Sequence, residues 1–310
     1  MGETKKLNRV LLVGGTHGNE FIGIFLIKKF QQFPHLIARS SFETQTLLGN
    51  PKAFKANMRY IDKDLNRCFA QHFSEEEDLI AYEDIRAREI HQQFGSSGET
   101  PADVVVDLHS STANMGLTLI IDRDDAFTLQ LAAYLSSVNP SIKIYHSGDS
   151  GRSEDSFRSL GKLGVAVEVG PISQGVLKAE LFLKTEALIH EILNFLEKFN
   201  QGEVLFFNQE LTVYRYVKTI DYPRNKSGEI QAMIHPHLQF RDYHPLHPDD
   251  PMFLSFDGTV ISYEDASTTH PIFINEAAYY EKGIAMSLTK KQQLPIHVED
   301  DHQINVGNFL

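Results

Sequence analysis

The feature that most constrains this chain is its opening. Arg9-Val10-Leu11-Leu12-Val13 is a short apolar run that stops at Gly14-Gly15, and after Thr16-His17-Gly18-Asn19-Glu20 comes the apolar stretch Phe21–Ile27. A strand, a tight glycine turn and a buried helix in that order begin an α/β unit with a parallel sheet. Two later runs point the same way. Residues 103–109 (DVVVDLH) and 164–170 (GVAVEVG) are nearly continuous apolar strands, the pattern of a sheet covered on both faces. The remaining pattern predicts strands at 41–48, 117–121 and 142–146, and helices at 74–94, 126–138 and 181–199. The helix at 74–94 opens on a Ser74/Glu77 capping box, and residues 51–73 read as irregular and polar. After Asn200-Gln201-Gly202 the character changes to short β-like runs, such as 211–218 and 251–261 around Asp257-Gly258. The expected fold class is α/β: a mostly parallel or mixed central sheet flanked by helices over residues 1–202, with a smaller, mainly β, C-terminal domain over 203–310.

Charge and cysteine content narrow the function. The 310 residues carry 29 Lys+Arg against 41 Asp+Glu, a net charge of −12, which argues against a nucleic-acid partner that needs a basic face. It also disfavours an anionic substrate at first sight, although a cleft can focus a local field of the opposite sign. One cysteine, Cys68, forms no intramolecular disulfide, so a reducing compartment is expected. No apolar run reaches the roughly 18 residues of a membrane span, and no signal-peptide-like segment precedes the first strand. The expectation is a soluble cytoplasmic protein with no membrane partner.

The chemistry-bearing residues sit at strand ends. His17 and Glu20 follow the first strand, at what is the ligand-binding edge of an open parallel sheet. The pair could share a metal; equally, Thr16 or Asn19 could cap the helix, with Glu20 at its positive end. His109 ends the strand 103–109 and, if the strands are parallel, lies on the same edge. Two histidines and one carboxylate with an open position is the composition of catalytic zinc. Asp107, on the same strand face as His109, could orient an imidazole. Glu168 sits inside an apolar strand and is either a base beside the metal or half of a buried salt bridge. Arg59, Asp62, Asp64, Asn66 and Arg67 crowd one loop, which could grip carboxylates or simply be held by its own ion pairs. Arg158 is equally ambiguous. Cys68 reads as a packing residue, and the spacing His235-Pro, His244-Pro, His247-Pro suggests turns rather than a metal site.

Six blocks resemble the aspartoacylase/succinylglutamate desuccinylase family of the wider zinc carboxypeptidase-like group. They are residues 14–20 (GGTHGNE), 60–67 (YIDKDLNR), 107–116 (DLHSSTANMG), 167–171 (VEVGP), 247–253 (HPDDPMF) and 275–282 (NEAAYYEK), in the family's order through nearly the whole chain. The resemblance implies a carboxypeptidase-type α/β domain with a β-rich C-terminal domain and one zinc ion per chain on His17, Glu20 and His109. It implies Glu168 as general acid/base, Arg59 as the residue polarising the scissile carbonyl, and Asn66, Arg67, Arg158 and Tyr279 as substrate-binding, with Arg59 and Glu168 also touching substrate. The activity it implies is zinc-dependent hydrolysis of an N-acyl amino acid, expected to be N-acetyl-L-aspartate. The alternatives are deacylation of N-acetyl aromatic amino acids or mercapturates, cleavage of a succinyl amide, and a non-catalytic zinc- or ligand-binding homologue. Mammalian members suggest a homodimer, without an interface signal in this sequence. Glu154, Ser110-Ser111-Thr112 and Gly283 depart from the mammalian pattern, which bears on the preferred acyl amino acid more than on the chemistry.

Overall fold

A computed structural model describes residues 6–70, 81–151, 155–203 and 210–296. The first part of the chain forms β1 (Arg9–Gly14), α1 (Phe21–Gln32), β2 (Glu43–Leu48), α2 (Pro51–Ala56), α3 (Tyr82–Phe94), β3 (Val104–Ser110), β4 (Gly116–Ile121), α4 (Ala126–Val138), β5 (Lys143–His146), β6 (Leu163–Gly170) and α5 (Ala179–Asn200). There follow β7 (Glu210–Ile220), β8 (Ala232–Ile234), β9 (Pro251–Ser255), β10 (Val260–Ser262), β11 (His270–Ile272) and β12 (Met286–Pro295).

Nine strands form one sheet in the order β11-β12-β7-β5-β4-β6-β3-β1-β2. β2, β1, β3 and β6 are mutually parallel, so the carboxyl ends of β1, β3 and β6 share an edge. β4 runs antiparallel to β6, and β5 and β7 follow the direction of β4. The sheet is therefore mixed. β7, β12 and β11, all from beyond residue 203, extend it, while β10-β9-β8 make a separate small sheet.

Alternation along each strand sends side chains to two buried faces. Val10, Leu12, Val104, Val106, Val165 and Val167 pack on one face with residues of α1, α4 and α5. Leu11, Val13 and Val105 face the other way, against Ala87, Ile90 and Phe94 of α3. Burying each such side chain contributes about 1.5–3 kcal/mol, which explains the continuous apolar strands. The second face also carries the polar residues. Asp107 pairs in register with Ala166, His109 with Glu168, and Glu168 with Thr118.

The first turn requires glycine. A Cβ on Gly14 would lie 2.4 Å from the Gly23 carbonyl oxygen of α1, and Gly15 has a φ of +73°. One local reading of the sequence needs revision. Asn50-Pro51 ends β2 and also opens a helix that the pattern of 51–73 did not suggest: the Asn50 side chain accepts from Ala53 N, and Pro51 takes the first helical position. Among the described residues α3 spans Tyr82–Phe94, and the Tyr82 backbone N–H donates to Asp62 Oδ2 at 2.7 Å; the expected start at Ser74, with its Glu77 capping partner, lies outside the described residues. Among the described residues no helix is long and apolar enough to cross a membrane.

Candidate metal centre and active site

The shared carboxyl edge of β1 and β3 brings His17, Glu20 and His109 together. All three are buried, and one ligand atom from each lies within 4.8 Å of the others. Among the described residues this is the one group of its kind. His109 Nδ1 is 3.2 Å from His17 Nδ1 and 3.0 Å from Glu20 Oε2, while His17 Nδ1 is 2.6 Å from Glu20 Oε1. Glu20 stands at the N-cap of α1 but makes no side-chain cap bond, and Thr16 Oγ1 donates instead to Asp107 Oδ1 at 2.7 Å. The capping alternative is therefore not what the local structure adopts.

The other imidazole nitrogens are held by carboxylates. His17 Nε2 is 2.9 Å from Asp64 Oδ1, and His109 Nε2 is 2.7 Å from Asp107 Oδ2. With a metal at Nδ1, each carboxylate would accept from Nε2–H and orient its ring, so that both Nδ1 atoms face the Glu20 carboxylate as donors to the ion. Tetrahedral zinc with bonds of about 2.0–2.1 Å places its ligand atoms roughly 3.3 Å apart. The 3.2 Å and 3.0 Å separations lie near that value, the 2.6 Å His17–Glu20 contact is shorter, and the two-histidine, one-carboxylate donor set suits zinc. The electrostatics agree. Burial pushes the Glu20 carboxyl up, but the two histidines more than reverse this and hold it well below the usual range. Burial lowers His109, yet Asp107 and Glu20 together raise it well above the ordinary value. The pocket thus favours a positive charge at this point, which a metal ion can supply once the rings are neutral.

Glu168 shares the cavity. Its Oε1 is buried with no hydrogen-bond partner among the described residues, and no described ion pair involves it. Burial raises its carboxyl well above the ordinary value; His109 pulls it back, and Glu20 and Glu276 add to the rise. The structural salt bridge that the sequence left open is not formed by the described residues.

The 59–67 loop divides between the two readings of it. Arg59 Nη1 donates to Glu20 Oε1 at 3.2 Å and Nη2 to Asp64 Oδ2 at 3.4 Å, while its buried Nε has no partner among the described residues. Arg67 pairs with Asp155 at 3.2 Å and also bonds the Asn66 carbonyl; the Asn66 side chain accepts from Phe157 N at 2.7 Å. Arg59, Asn66, Arg67, Arg158, Tyr279 and Glu168 all line the same cavity as the candidate ligands. Glu154 lies outside the described residues.

Several residues that position the site were not picked out from the sequence. Glu83, fully buried on α3, accepts from the backbone N–H groups of Ile61, Asp62 and Lys63 and from Asn50 Nδ2, and so pins the arginine loop. Lys282 Nζ donates to Asp64 Oδ2 at 2.6 Å. Glu276 accepts from Thr112 N at 2.7 Å, Ala113 N at 3.2 Å and the Ser111 hydroxyl, joining the loop after β3 to the segment that carries Tyr279. Asp122 binds Arg158, and no sequence pattern marks it. Cys68 is buried, with its thiol pushed up to about 12 by desolvation, in keeping with a packing role.

Residues 6–196 match the family described as the succinylglutamate desuccinylase/aspartoacylase catalytic domain. The chain belongs to that family. Residues 209–291 match its AstE/AspA barrel-sandwich hybrid domain. A probable aspartoacylase of Nostoc sp. is 57% identical, covering 93% of this chain and 97% of its own. The N-acyl-aromatic-L-amino acid amidohydrolase (carboxylate-forming) of Mus musculus is 40% identical, over 95% of this chain and 94% of its own. The crystal structure of murine aminoacylase 3 superposes with a TM-score of 0.88 at 39% identity, covering 94% of this chain and 98% of that one. The chain is accordingly a family deacylase of N-acyl amino acids, a hydrolase of amide bonds.

Proposed function

We propose that the chain holds one zinc ion on His17, Glu20 and His109 and hydrolyses N-acetyl-L-aspartate to acetate and L-aspartate. The observation that carries this reading is the pairing, in one cavity, of the converging His17–Glu20–His109 donors with Glu168, whose buried Oε1 has no hydrogen-bond partner among the described residues. Zinc, when bound there, supplies Lewis acidity and lowers the pKa of a coordinated water toward about 7. Glu168 takes the proton of the attacking water as its oxygen bonds to the acyl carbon. It returns that proton to the nitrogen as the C–N bond breaks. Desolvation suits Glu168 to both roles, because it disfavours the carboxylate and so makes the group a better proton acceptor. Arg59 donates to the carbonyl oxygen as negative charge develops, a contribution of roughly 3–4 kcal/mol for a well-placed donor. Arg67, Asn66 and Tyr279 hold the α-carboxylate end of the substrate, and Arg158 receives the side-chain carboxylate. The reaction belongs in the cytoplasm, where a chain with one cysteine needs no disulfide.

A second reading, deacylation of neutral aromatic amino acids, is favoured by one observation: Arg158 is paired with Asp122, and Ile120, Tyr145 and Phe273 line the same cavity. The test is a panel of acetylated Asp, Glu, Phe and Tyr with succinylated amino acids, assayed on zinc-loaded and chelated protein. The proposal expects acetylaspartate to be cleaved, with activity lost on chelation and restored by zinc. Turnover of only the aromatic substrates would establish the second reading. Absence of any turnover would overturn both.

A further inference from the structure

The cation expected to meet a substrate side-chain carboxylate is already engaged. Arg158 Nε donates to Asp122 Oδ2, and Nη2 donates to Asp122 Oδ1 at 2.8 Å and to Ser147 Oγ at 3.0 Å. The Ser147 hydroxyl in turn donates to Asp122 Oδ1. The side chains of Arg158 and Asp122 are only 9% and 12% exposed. Both acceptor oxygens of Asp122 are therefore used, and the guanidinium meets them in the two-pronged fashion that favours carboxylates over other partners.

The anchoring is rigid. Asp122 directly follows β4, two residues after Ile120, and Ser147 directly follows β5, two residues after Tyr145. Both of those earlier residues line the cavity, so the ion pair lies at the ends of strands that build its wall. Burial pushes the Asp122 carboxyl up, but Arg158 and the Ser147 bond more than reverse this, so it stays ionised. Asp122, behind the cavity lining, neutralises the Arg158 charge, and Ile120, Tyr145, Ser147 and Phe273, which line the same cavity as Arg158, are uncharged. A substrate carboxylate approaching Arg158 must share it with, or displace, a like charge fixed in place. Such a built-in repulsive element is how a site discriminates between otherwise similar ligands.

We infer that Asp122 is a specificity-determining residue: by occupying Arg158 it disfavours substrates with a side-chain carboxylate relative to those with a neutral side chain. This inference rests on the deacylase reading and on the role given there to Arg158.

The experiment compares wild type with Asp122→Asn, zinc-loaded, on N-acetyl-L-aspartate and N-acetyl-L-phenylalanine. Asparagine keeps the size and an acceptor for Ser147 while removing the charge. The ratio of kcat/KM for acetylaspartate over acetylphenylalanine should rise about tenfold or more, mainly through a lower KM for acetylaspartate. A purely structural role would depress both substrates together and leave the ratio unmoved, and that result would overturn the inference alone. If neither substrate is cleaved by wild type, the deacylase reading falls and this inference with it. Should the variant fail to fold, wild type decides the matter. It should prefer acetylaspartate over its neutral isostere N-acetyl-L-asparagine by less than about tenfold, whereas a preference near a hundredfold would mark Arg158 as free to bind and sink the proposal.

Discussion

Asp107 touches no candidate metal position, yet its loss should weaken metal binding. Its carboxylate is 1% exposed and accepts two hydrogen bonds of 2.7 Å, from Thr16 Oγ1 and from His109 Nε2. In Asp107→Asn one oxygen becomes an amide. The Thr16 hydroxyl can rotate, but the imidazole cannot adapt without changing tautomer. If the amide faces His109, Nε2 must accept, and the ring proton moves to Nδ1, the nitrogen that faces Glu20 and His17. If it faces Thr16, the charge that raises His109 is still gone. Losing an outer partner of this kind costs about 10–100-fold in metal affinity, or roughly 1.4–2.7 kcal/mol. Zinc affinity would be measured by competition against a chromogenic chelator at neutral pH, with circular dichroism confirming the fold. An affinity within about twofold of wild type would refute the claim that Asp107 sets the tautomer and orientation of His109.

Three further outcomes follow from the same geometry. Gly14→Ala would place a methyl 2.4 Å from the Gly23 carbonyl oxygen, a contact only backbone movement can relieve, so denaturant titration should show a loss of about 1–3 kcal/mol. Glu276→Ala removes the acceptor that ties Thr112 and Ala113 to the Tyr279 segment; KM for the acyl amino acid should rise while zinc content stays at wild type, and a loss of zinc instead would place Glu276 in the metal site. Because burial raises Glu168, its base form is gained only as pH increases, so kcat/KM should climb along an acid limb that lies above the ordinary carboxylate range, and a profile already flat within that range would count against Glu168.

The sheet was legible because its strands are buried on both faces, whereas the register that sets His109 beside Glu168 is visible only in the folded sheet. The edge shared by β1 and β3 was readable from those doubly buried strands. What the sequence concealed depends on distant pairings. Nothing local in Asp122 announces Arg158, and nothing in Glu83 announces that it gathers three N–H groups from residues 61–63. Nothing local in Tyr82 announces that Asp62, from a different segment, accepts its backbone N–H. The helix at Pro51 was missed because Asn50-Pro51 reads equally as a strand terminator and as a helix opener.

The central claim is that a zinc site on His17, Glu20 and His109 works with Glu168 as proton carrier. The most direct test measures zinc content and kcat on the same preparation of Glu168→Gln. The account predicts one zinc per chain, as in wild type, with turnover of the best acyl amino acid reduced by about 10²–10⁴-fold. Near wild-type turnover with zinc retained would contradict it.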